Sequence, residues 1–441
     1  MLIPRNARDQ AGRMSLIAFG IRILSAAIAF VSQVLMARWM GTFEYGIFVL
    51  VWVAVVIVGN LSCFGFHTTV IRFIAEYRET AQTDHLRGIL LGSRLFTLLA
   101  STAIALLAAA GLYLFSDRME PYYLVPFFLG TVMLPMIALS DTLQGIARAN
   151  AWAVAALAPA YVVRPGLLLV FMAGALALGF EPTAQTALTA ALAATYATAL
   201  YQVASVIAPA HRAVGSGPRQ SDMRLWLTVS FPIFLIEGFT FLLTNADVLV
   251  VGFYMEPHDV AIYFATVKTL ALVHFVYFAV KAGAAQRYAQ LMHSGDHQRL
   301  AGFARETVAW TFWPSLAMGL FVLLAGRPLL MLFGPEFTAG YPLLYVLVAG
   351  VIARACVGPA ESLLTMSGHQ NICAVVYALT LAVNLIGNAI LIPQIGLWGA
   401  AIATTAAMIF EASALAVIVW AKLGLVMVIG LEAVFPARGR S

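Results

Sequence analysis

The chain has 441 residues, of which 62% are hydrophobic and only 10% are charged. A soluble globular protein carries about 25% charged residues, so this composition excludes a soluble enzyme, a disordered chain and a nucleic-acid-binding module. An outer-membrane barrel is also excluded, because its alternating strands give a weak hydropathy signal whereas the mean hydropathy here is +0.91. The composition predicts an all-α integral membrane protein.

Long apolar segments bounded by polar residues, glycine or proline predict twelve membrane-spanning helices, since about 20 apolar residues cross a bilayer. The first segment is too long for the apolar part of a signal peptide, so we interpret it as a retained span. The predicted spans are 16–36, 46–64, 89–114, 121–142, 153–178, 186–208, 225–253, 260–280, 307–326, 341–364, 372–392 and 398–420.

The distribution of Lys and Arg predicts the orientation, because these residues concentrate in cytoplasmic segments. With the N-terminus inside, the cytoplasmic segments hold sixteen cations and the outer loops hold three, namely Arg38, Arg118 and Arg327. An even number of spans then places both termini in the cytoplasm. The outer loops are short and leave little room for a catalytic constellation, which argues against an enzyme.

Two loops 215 residues apart are similar, one after the first span and one after the seventh. The matching residues are Met40, Glu44, Ile47 and Phe48 in the first loop and Met255, Asp259, Ile262 and Tyr263 in the second. This repeat predicts two six-helix bundles, residues 1–208 and 225–441, joined by a cytoplasmic linker at 209–224. Two like halves around a cleft suit transport by alternating access.

The segment Arg38-Trp-Met-Gly-Thr-Phe-Glu-Tyr-Gly-Ile-Phe48 resembles the first outer loop of polysaccharide transporters, often called Wzx-type O-antigen flippases. The resemblance continues in order through Ser230-Phe-Pro232, Asn245-Ala-Asp247, residues 332–337 and residues 384–401. That family belongs to a superfamily that also contains multidrug exporters of the multidrug-and-toxin-extrusion type and peptidoglycan-precursor flippases.

The resemblance implies a V-shaped, pseudo-two-fold pair of six-helix bundles in the bacterial inner membrane. It implies a non-enzymatic flippase that moves a polyprenyl-diphosphate-linked oligosaccharide, an O-antigen or exopolysaccharide repeat unit, from the cytoplasmic to the outer leaflet. The expected partners are this substrate, membrane lipids, and the glycan polymerase and chain-length machinery, without nucleic acid. No metal or other cofactor is expected apart from H⁺ or Na⁺ as a coupling ion.

Cations deep within the predicted spans are candidates for substrate binding, because an unpaired charge is costly in hydrocarbon and such residues are usually functional. They are Arg22, Arg164, Lys268 and Arg354. Arg suits a diphosphate because its planar guanidinium binds two oxygens at once. The alternative is that each cation pairs with a buried carboxylate; Arg354 and Glu361, seven residues apart, would lie on one helix face about 10 Å apart.

Polar residues of the seventh span predict a coupling-ion site, because they recur at helical spacing on one side. They are Glu237, Thr240, Thr244 and Asp247. The alternative is a hydrogen-bonded contact between helices. Asn384 and Asn388 form an i, i+4 pair that would bind sugar hydroxyls or, equally, join neighbouring helices.

Prolines inside the spans predict kinks, since proline removes a backbone donor. Pro126 and Pro135 would interrupt the fourth span, Pro159 and Pro165 the fifth, and Pro359 the tenth.

Three other functions remain open from the sequence. A cation-coupled multidrug or metabolite exporter would need an acidic, aromatic cleft, and the spans hold five deep acids beside four deep cations. An integral membrane glycan-processing enzyme is disfavoured by the short outer loops. A scaffold without transport activity is the third.

Overall fold

The computed structural model describes the backbone of residues 5–294 and 296–430, and the side chains of residues 24–430 apart from 282, 286 and 293–295. Over this part of the chain the secondary structure is helical, without strands. Eleven stretches there are long and apolar enough to cross a membrane. The protein is therefore an all-helical, multi-pass membrane protein, as the composition predicts.

The chain divides into two compact units, residues 1–238 and 239–441. The first unit contains α1 (Arg5–Leu61), α2 (Phe66–Glu79), α3 (Thr83–Leu114), α4 (Pro121–Ala149), α5 (Ala153–Ala158), α6 (Arg164–Ala177), α7 (Ala184–Gln202), α8 (Ala208–Val214) and the first half of α9 (Met223–Tyr254). The second unit contains the remainder of α9 and then α10 (Pro257–Ser294), α11 (His297–Phe333), α12 (Tyr341–Ala355), α13 (Ala360–Met366), α14 (Gln370–Ile395) and α15 (Leu397–Leu423). The linker predicted at 209–224 stays a prediction.

Helix α1 contains the first two predicted spans. A straight helix of its 57 residues would be about 85 Å long, far more than the ~30 Å hydrocarbon core. Gly41, with φ 71° and ψ 177°, interrupts the helix in a conformation that essentially only glycine adopts. The Tyr45 hydroxyl donates to Gln33 Oε1 over 2.8 Å, although a straight helix would separate these two residues by about 18 Å. The chain therefore bends sharply at Gly41, and the eleven long stretches correspond to the twelve predicted spans.

The acid of this bend has a local structural role. Glu44 Oε2 accepts a hydrogen bond from the backbone N–H of Ala184, over 2.7 Å, at the start of α7. The first amides of a helix lack partners within the helix, so an acceptor there stabilises the helix start. The matching acid of the repeat, Asp259, lies in the first turn of α10.

The repeated loops also have similar burial. Phe48 and Tyr263 are both fully buried, and Ile47 and Ile262 are nearly so. The matched positions thus serve as core residues in their respective units, which accounts for their apolar character.

Helix α2 is a short amphipathic helix that the sequence analysis does not predict. Its buried residues Phe66, Val70, Phe73 and Tyr77 recur every three or four positions and so share one face. The Trp226 indole at the start of α9 is fully buried and donates to the Tyr77 hydroxyl over 2.9 Å. This contact joins α2 to α9 within the first unit.

The prolines have different effects on their helices. The predicted break at Pro359 is confirmed: α12 ends at Ala355, and Gly358 adopts a φ of 62° before α13 begins. Pro159 begins a π-helical turn, Pro159–Val163, between α5 and α6. Pro126 and Pro135 lie inside the continuous helix α4, so the fourth span is not divided there, and a kink at either proline stays a prediction.

The bend in α1 leads to a test of stability. Gly41→Ala should destabilise the protein by about 1–3 kcal/mol, because alanine is strained at this φ and ψ. Gly111→Ala is the matched control, since neither glycine has a neighbour within 4 Å of an added Cβ but Gly111 lies inside helix α3. Thermal unfolding in detergent measures both variants. Equal melting temperatures for the two variants would contradict the bend.

Candidate functional site

A cavity of about 220 Å³ lies inside the second unit and is surrounded by α9, α10 and α12–α15. We call it the C-terminal cavity. Six of the predicted site residues line it, namely Thr240, Thr244, Asp247, Lys268, Arg354 and Asn384. They come from four different helices, so the tertiary fold brings together residues that are far apart in the sequence.

Asp247 is the centre of a hydrogen-bond network at one side of this cavity. Its side chain is 5% exposed, and its Oδ2 accepts a hydrogen bond from the Tyr263 hydroxyl over 3.0 Å. The Tyr263 hydroxyl also lies 3.3 Å from Thr404 Oγ1, to which Asn384 Nδ2 donates over 3.3 Å. Asn388 is fully buried and donates to Asn384 Oδ1 over 3.1 Å. The network connects α9, α10, α14 and α15 through oxygen-bearing side chains.

Two ion pairs lie in the same cavity. Arg354 Nη2 is 2.9 Å from Glu411 Oε1, and its guanidinium carbon is 4.5 Å from the centroid of the Tyr277 ring. Lys281 Nζ is 2.7 Å from Glu361 Oε2. Arg354 and Glu361 therefore bind different partners, because the helix breaks between them and the shared face expected from their spacing is not preserved.

Lys268 is the cation of this cavity that lacks an ion pair. Its Nζ lies 4.7 Å from the centroid of the Phe264 ring, and no carboxylate among the described side chains lies within 4.0 Å of it. Asp247 is nevertheless close enough to attract it electrostatically. The charged residues lining the cavity are Lys268, Lys281, Arg354, Asp247, Glu361 and Glu411. Among the described residues of this lining, Lys268 and Asp247 are the two charged side chains outside the two ion pairs.

Arg164 lies at a different cavity, of about 180 Å³, inside the first unit. Ser25, Gln33, Trp52 and Tyr161 also line it. The guanidinium carbon of Arg164 is 5.5 Å from the centroid of the Trp52 ring, and within the described side chains no carboxylate is within 4.0 Å. Arg164 directly follows the π-helical turn, which places its side chain at this cavity. The side chain of Arg22 lies outside the described residues.

Glu237 is the member of the predicted stripe that the structure separates from the others. It lies in the first unit, where its Oε2 is 2.8 Å from His67 Nε2 and its Oε1 accepts from the Thr68 hydroxyl over 2.8 Å. Ten residues of helix separate Glu237 from Asp247 by about 15 Å along the axis and about 80° around it. Glu237 is therefore not among the described residues that line the C-terminal cavity, whereas Thr240, Thr244 and Asp247 are.

Several residues that line the C-terminal cavity were not assigned to a site from the sequence. They are His274, Lys281, Glu361, Tyr377 and Glu411. The available signal was a titratable side chain within an apolar span, which often indicates function. Their partners come from other helices, so the sequence alone does not show that they converge. Within the described residues, no group of three His, Cys, Asp or Glu side chains is placed to hold a metal ion.

The fold is that of membrane transporters of the MOP superfamily. One similar structure is the lipid II flippase MurJ in an inward closed conformation, with a TM-score of 0.71, 14% identity, and coverage of 92% of this chain and 87% of that chain. An inward-facing multidrug resistance MATE transporter has a TM-score of 0.67, 15% identity, and coverage of 89% and 92%. A MOP superfamily transporter from Pyrococcus furiosus, described as having a binding pocket of reverse polarity, has a TM-score of 0.60, 14% identity, and coverage of 93% of each chain.

The family model for polysaccharide biosynthesis proteins matches residues 12–285. Because this match covers more than half of the chain, the protein belongs to the polysaccharide biosynthesis protein family. A second family model, MatE, matches residues 232–390. A comparison with curated proteins finds no sequence match.

The buried Arg354–Glu411 pair gives a test of the cavity's electrostatics. Arg354→Met should destabilise the protein by about 3–5 kcal/mol, because it leaves a buried carboxylate without a partner. Arg354→Met combined with Glu411→Met removes both charges and should recover most of this loss. Thermal unfolding of both variants and the wild type in detergent is the measurement. A double variant as unstable as the single one would contradict the direct pairing.

Proposed function

We propose that this protein is a flippase that moves a polyprenyl-diphosphate-linked oligosaccharide from the cytoplasmic to the outer leaflet of the bacterial inner membrane. Membership of the polysaccharide biosynthesis protein family supports this role. The fold shared with a lipid II flippase is consistent with a lipid-linked substrate. An anionic headgroup is favoured because Lys268 lines the C-terminal cavity and has no carboxylate within 4.0 Å in the described part of the chain.

The proposed division of work follows from the chemistry of the substrate. A diphosphate cannot cross hydrocarbon unaided, because burying its charge costs several kcal/mol or more. In this proposal the Lys268 ammonium binds phosphate oxygens inside a polar cavity, while the polyprenyl tail stays in the bilayer. Arg354 is held by Glu411 and would contribute its remaining N–H donors. Asn384 would donate to sugar hydroxyls, and Arg164 would provide a second cationic contact at its own cavity.

Asp247 is the proposed coupling residue for H⁺ or Na⁺. Its buried carboxylate and the oxygens of Asn384 and Thr404 form a set of hard donors of the kind that small cations prefer. Asn388 Oδ1 is also buried there, without a hydrogen-bond partner among the described residues. Thr240 and Thr244 line the same cavity and would solvate an entering ion. Glu237 is assigned a structural role instead, because His67 and Thr68 already bind both of its oxygens.

The proposal includes the predicted orientation, with both termini in the cytoplasm and the substrate delivered to the outer leaflet. There the glycan polymerase and the chain-length machinery would receive it. Whether the repeat unit belongs to an O-antigen or an exopolysaccharide depends on the sugar, and the proposal covers both.

A cation-coupled multidrug exporter is the second candidate, favoured by the MatE match over residues 232–390. Three acids line the C-terminal cavity, as a cationic cargo would require. Two of them, Glu361 and Glu411, already pair with cations, which leaves Asp247 as the acid of the described lining that has no ion pair within 4.0 Å. A single available acid next to Lys268 suits a coupling ion better than a large organic cation.

Lys268→Gln tests the flippase proposal. Translocation of a fluorescent polyprenyl-diphosphate oligosaccharide in proteoliposomes should slow at least about tenfold, since a hydrogen bond to a charged group is lost. Arg287→Gln is the matched control, because Arg287 is an exposed cation on the same helix and its loss should leave the rate unchanged. Wild-type rates in Lys268→Gln, or transport of a cationic dye in place of the lipid, would overturn the proposal.

The coupling site is tested by two substitutions on α9. Asp247→Asn should abolish the dependence of transport on a proton or sodium gradient, because the ionisable group of the network is removed. Glu237→Gln should retain this dependence, since Glu237 is outside the cavity. Transport is measured in proteoliposomes with and without each imposed gradient. If Asp247→Asn keeps the wild-type gradient dependence, Asp247 is not the coupling residue.

A further inference from the structure

A separate cavity of about 440 Å³ in the first unit has three arginines and one histidine in its lining. It lies between the start of α3 and the segment that follows α7. Its polar lining comprises Arg87, His211, Arg212, Ser216 and Arg219, and no acidic residue is among the described residues that line it. We call it the basic pocket. The predicted orientation places it at the cytoplasmic surface of the membrane.

The pocket is held in shape by Arg87 and its neighbours. The Arg87 guanidinium donates to Asp84 Oδ1 over 2.7 Å and to the carbonyl of Gly215 over 3.1 Å. The backbone N–H of Gln220 donates to the Asp84 carbonyl over 3.0 Å. Gly88 allows this close approach, because a Cβ at Gly88 would lie 1.8 Å from the carbonyl oxygen of Gln220. The segment after α8 is therefore hydrogen-bonded to the start of α3, and these contacts hold Arg219 at the pocket.

Arg94 lies beside this pocket and lacks an anionic partner among the described side chains, whereas Arg87 in the pocket is paired with Asp84. Arg94 is only 9% exposed, and its Nε donates to the carbonyl of Leu90 while its Nη2 lies 3.1 Å from His211 Nε2. Among the described side chains, no carboxylate lies within 4.0 Å of Arg94. The positive charge of Arg219 acts on both Arg94 and His211. A buried guanidinium without a counter-ion is costly, so an anion entering the pocket would be stabilised strongly.

The contact with Arg94 also fixes the donor that His211 offers. A guanidinium has donors only, so Nε2 of His211 must accept the hydrogen bond from Arg94. The remaining proton of the neutral imidazole is then on Nδ1, which is a donor. Arg212 and Arg219 add two exposed guanidinium groups, whose planar geometry matches phosphate oxygens.

The surroundings of the pocket indicate a ligand with an apolar tail. Leu91 and Leu95 on α3 lie beside the pocket residues Arg87 and Leu90 and are 36% and 52% exposed. Exposed leucines on a membrane-spanning helix face lipid, so the tail of a lipid would lie along them while its headgroup occupied the pocket. A volume of about 440 Å³ is within the range of small-molecule sites, about 300–1,000 Å³.

We propose that the basic pocket binds the phosphate of a lipid headgroup at the cytoplasmic surface. Two sources offer this chemistry, an anionic phospholipid such as phosphatidylglycerol and the diphosphate of a polyprenyl lipid. The basic pocket shares no lining residue with the C-terminal cavity, so it is a lipid site additional to the proposed transport site at Lys268.

The test measures binding of three probes to the purified full chain in detergent: phosphatidylglycerol, farnesyl diphosphate and inorganic pyrophosphate. The variant replaces both exposed cations, Arg212→Gln with Arg219→Gln. Its Kd for the phosphate-bearing lipids should rise at least about tenfold, since charge-assisted hydrogen bonds are lost. The matched control is Arg224→Gln with Arg305→Gln, which removes the same charge from exposed positions outside the pocket. Melting temperatures verify that both variants are folded.

The probes distinguish the sources. Tighter binding of farnesyl diphosphate and pyrophosphate than of phosphatidylglycerol identifies a polyprenyl diphosphate, and the reverse order identifies a phospholipid; both support the phosphate site. Unchanged lipid affinity in the pocket variant would overturn the inference, as would an equal loss of affinity in the control. Transport by the Lys268→Gln variant does not enter this measurement, so failure of the flippase proposal and failure of this one are separable.

Discussion

A lipid bilayer offers no water to a backbone amide or a charged side chain, and this constraint governs the structure. Every spanning segment is helical because helices satisfy their own backbone groups. Where the helices are interrupted, other groups supply partners: Glu44 accepts from the backbone at the start of α7, and the N–H of Ile429 donates to the carbonyl of Cys356 at the end of α12. At both of these helix interruptions, a hydrogen bond avoids the free-energy cost of an unpaired backbone group.

The same constraint explains the C-terminal cavity. Charged side chains on α10, α12, α13 and α15 turn away from lipid and pair with each other, as Arg354 does with Glu411 and Lys281 with Glu361. These pairs are weak evidence for stability, because replacing both members of a buried pair by apolar residues is often neutral or stabilising. The presence of these two ion pairs in the cavity is therefore better explained by a role in function than by a gain in stability. Lys268 and Asp247, which remain outside the two ion pairs, are the groups on which the proposed transport chemistry rests.

Much of the fold follows from the sequence, because hydropathy identifies spans reliably and Gly41 marks the bend between the first two. Helix α2 was not predicted because it is short and amphipathic, whereas the hydropathy of the sequence identifies only long apolar segments.

The candidate site was predictable in part, because charged residues are rare within membrane spans and Lys268, Arg354 and Asp247 are charged residues within them. The partners of these residues depend on how helices pack, so the Arg354–Glu411 pair has no signature in sequence spacing. The spacing on α9 likewise does not show that Glu237 binds His67 and Thr68 while Asp247 binds Tyr263.

The proposed transport chemistry requires the C-terminal cavity to contain water although the surrounding helices face lipid. Ala271 lines the cavity, and Leu324 is 84% exposed on α11 without lining it. In a variant lacking Cys63, Cys356 and Cys373, a single cysteine placed at either position is exposed to a charged, water-soluble thiol reagent in membrane vesicles. The account predicts rapid modification of Ala271→Cys, slowed by a polyprenyl-diphosphate lipid, and no modification of Leu324→Cys. Equal inertness of both cysteines would contradict it.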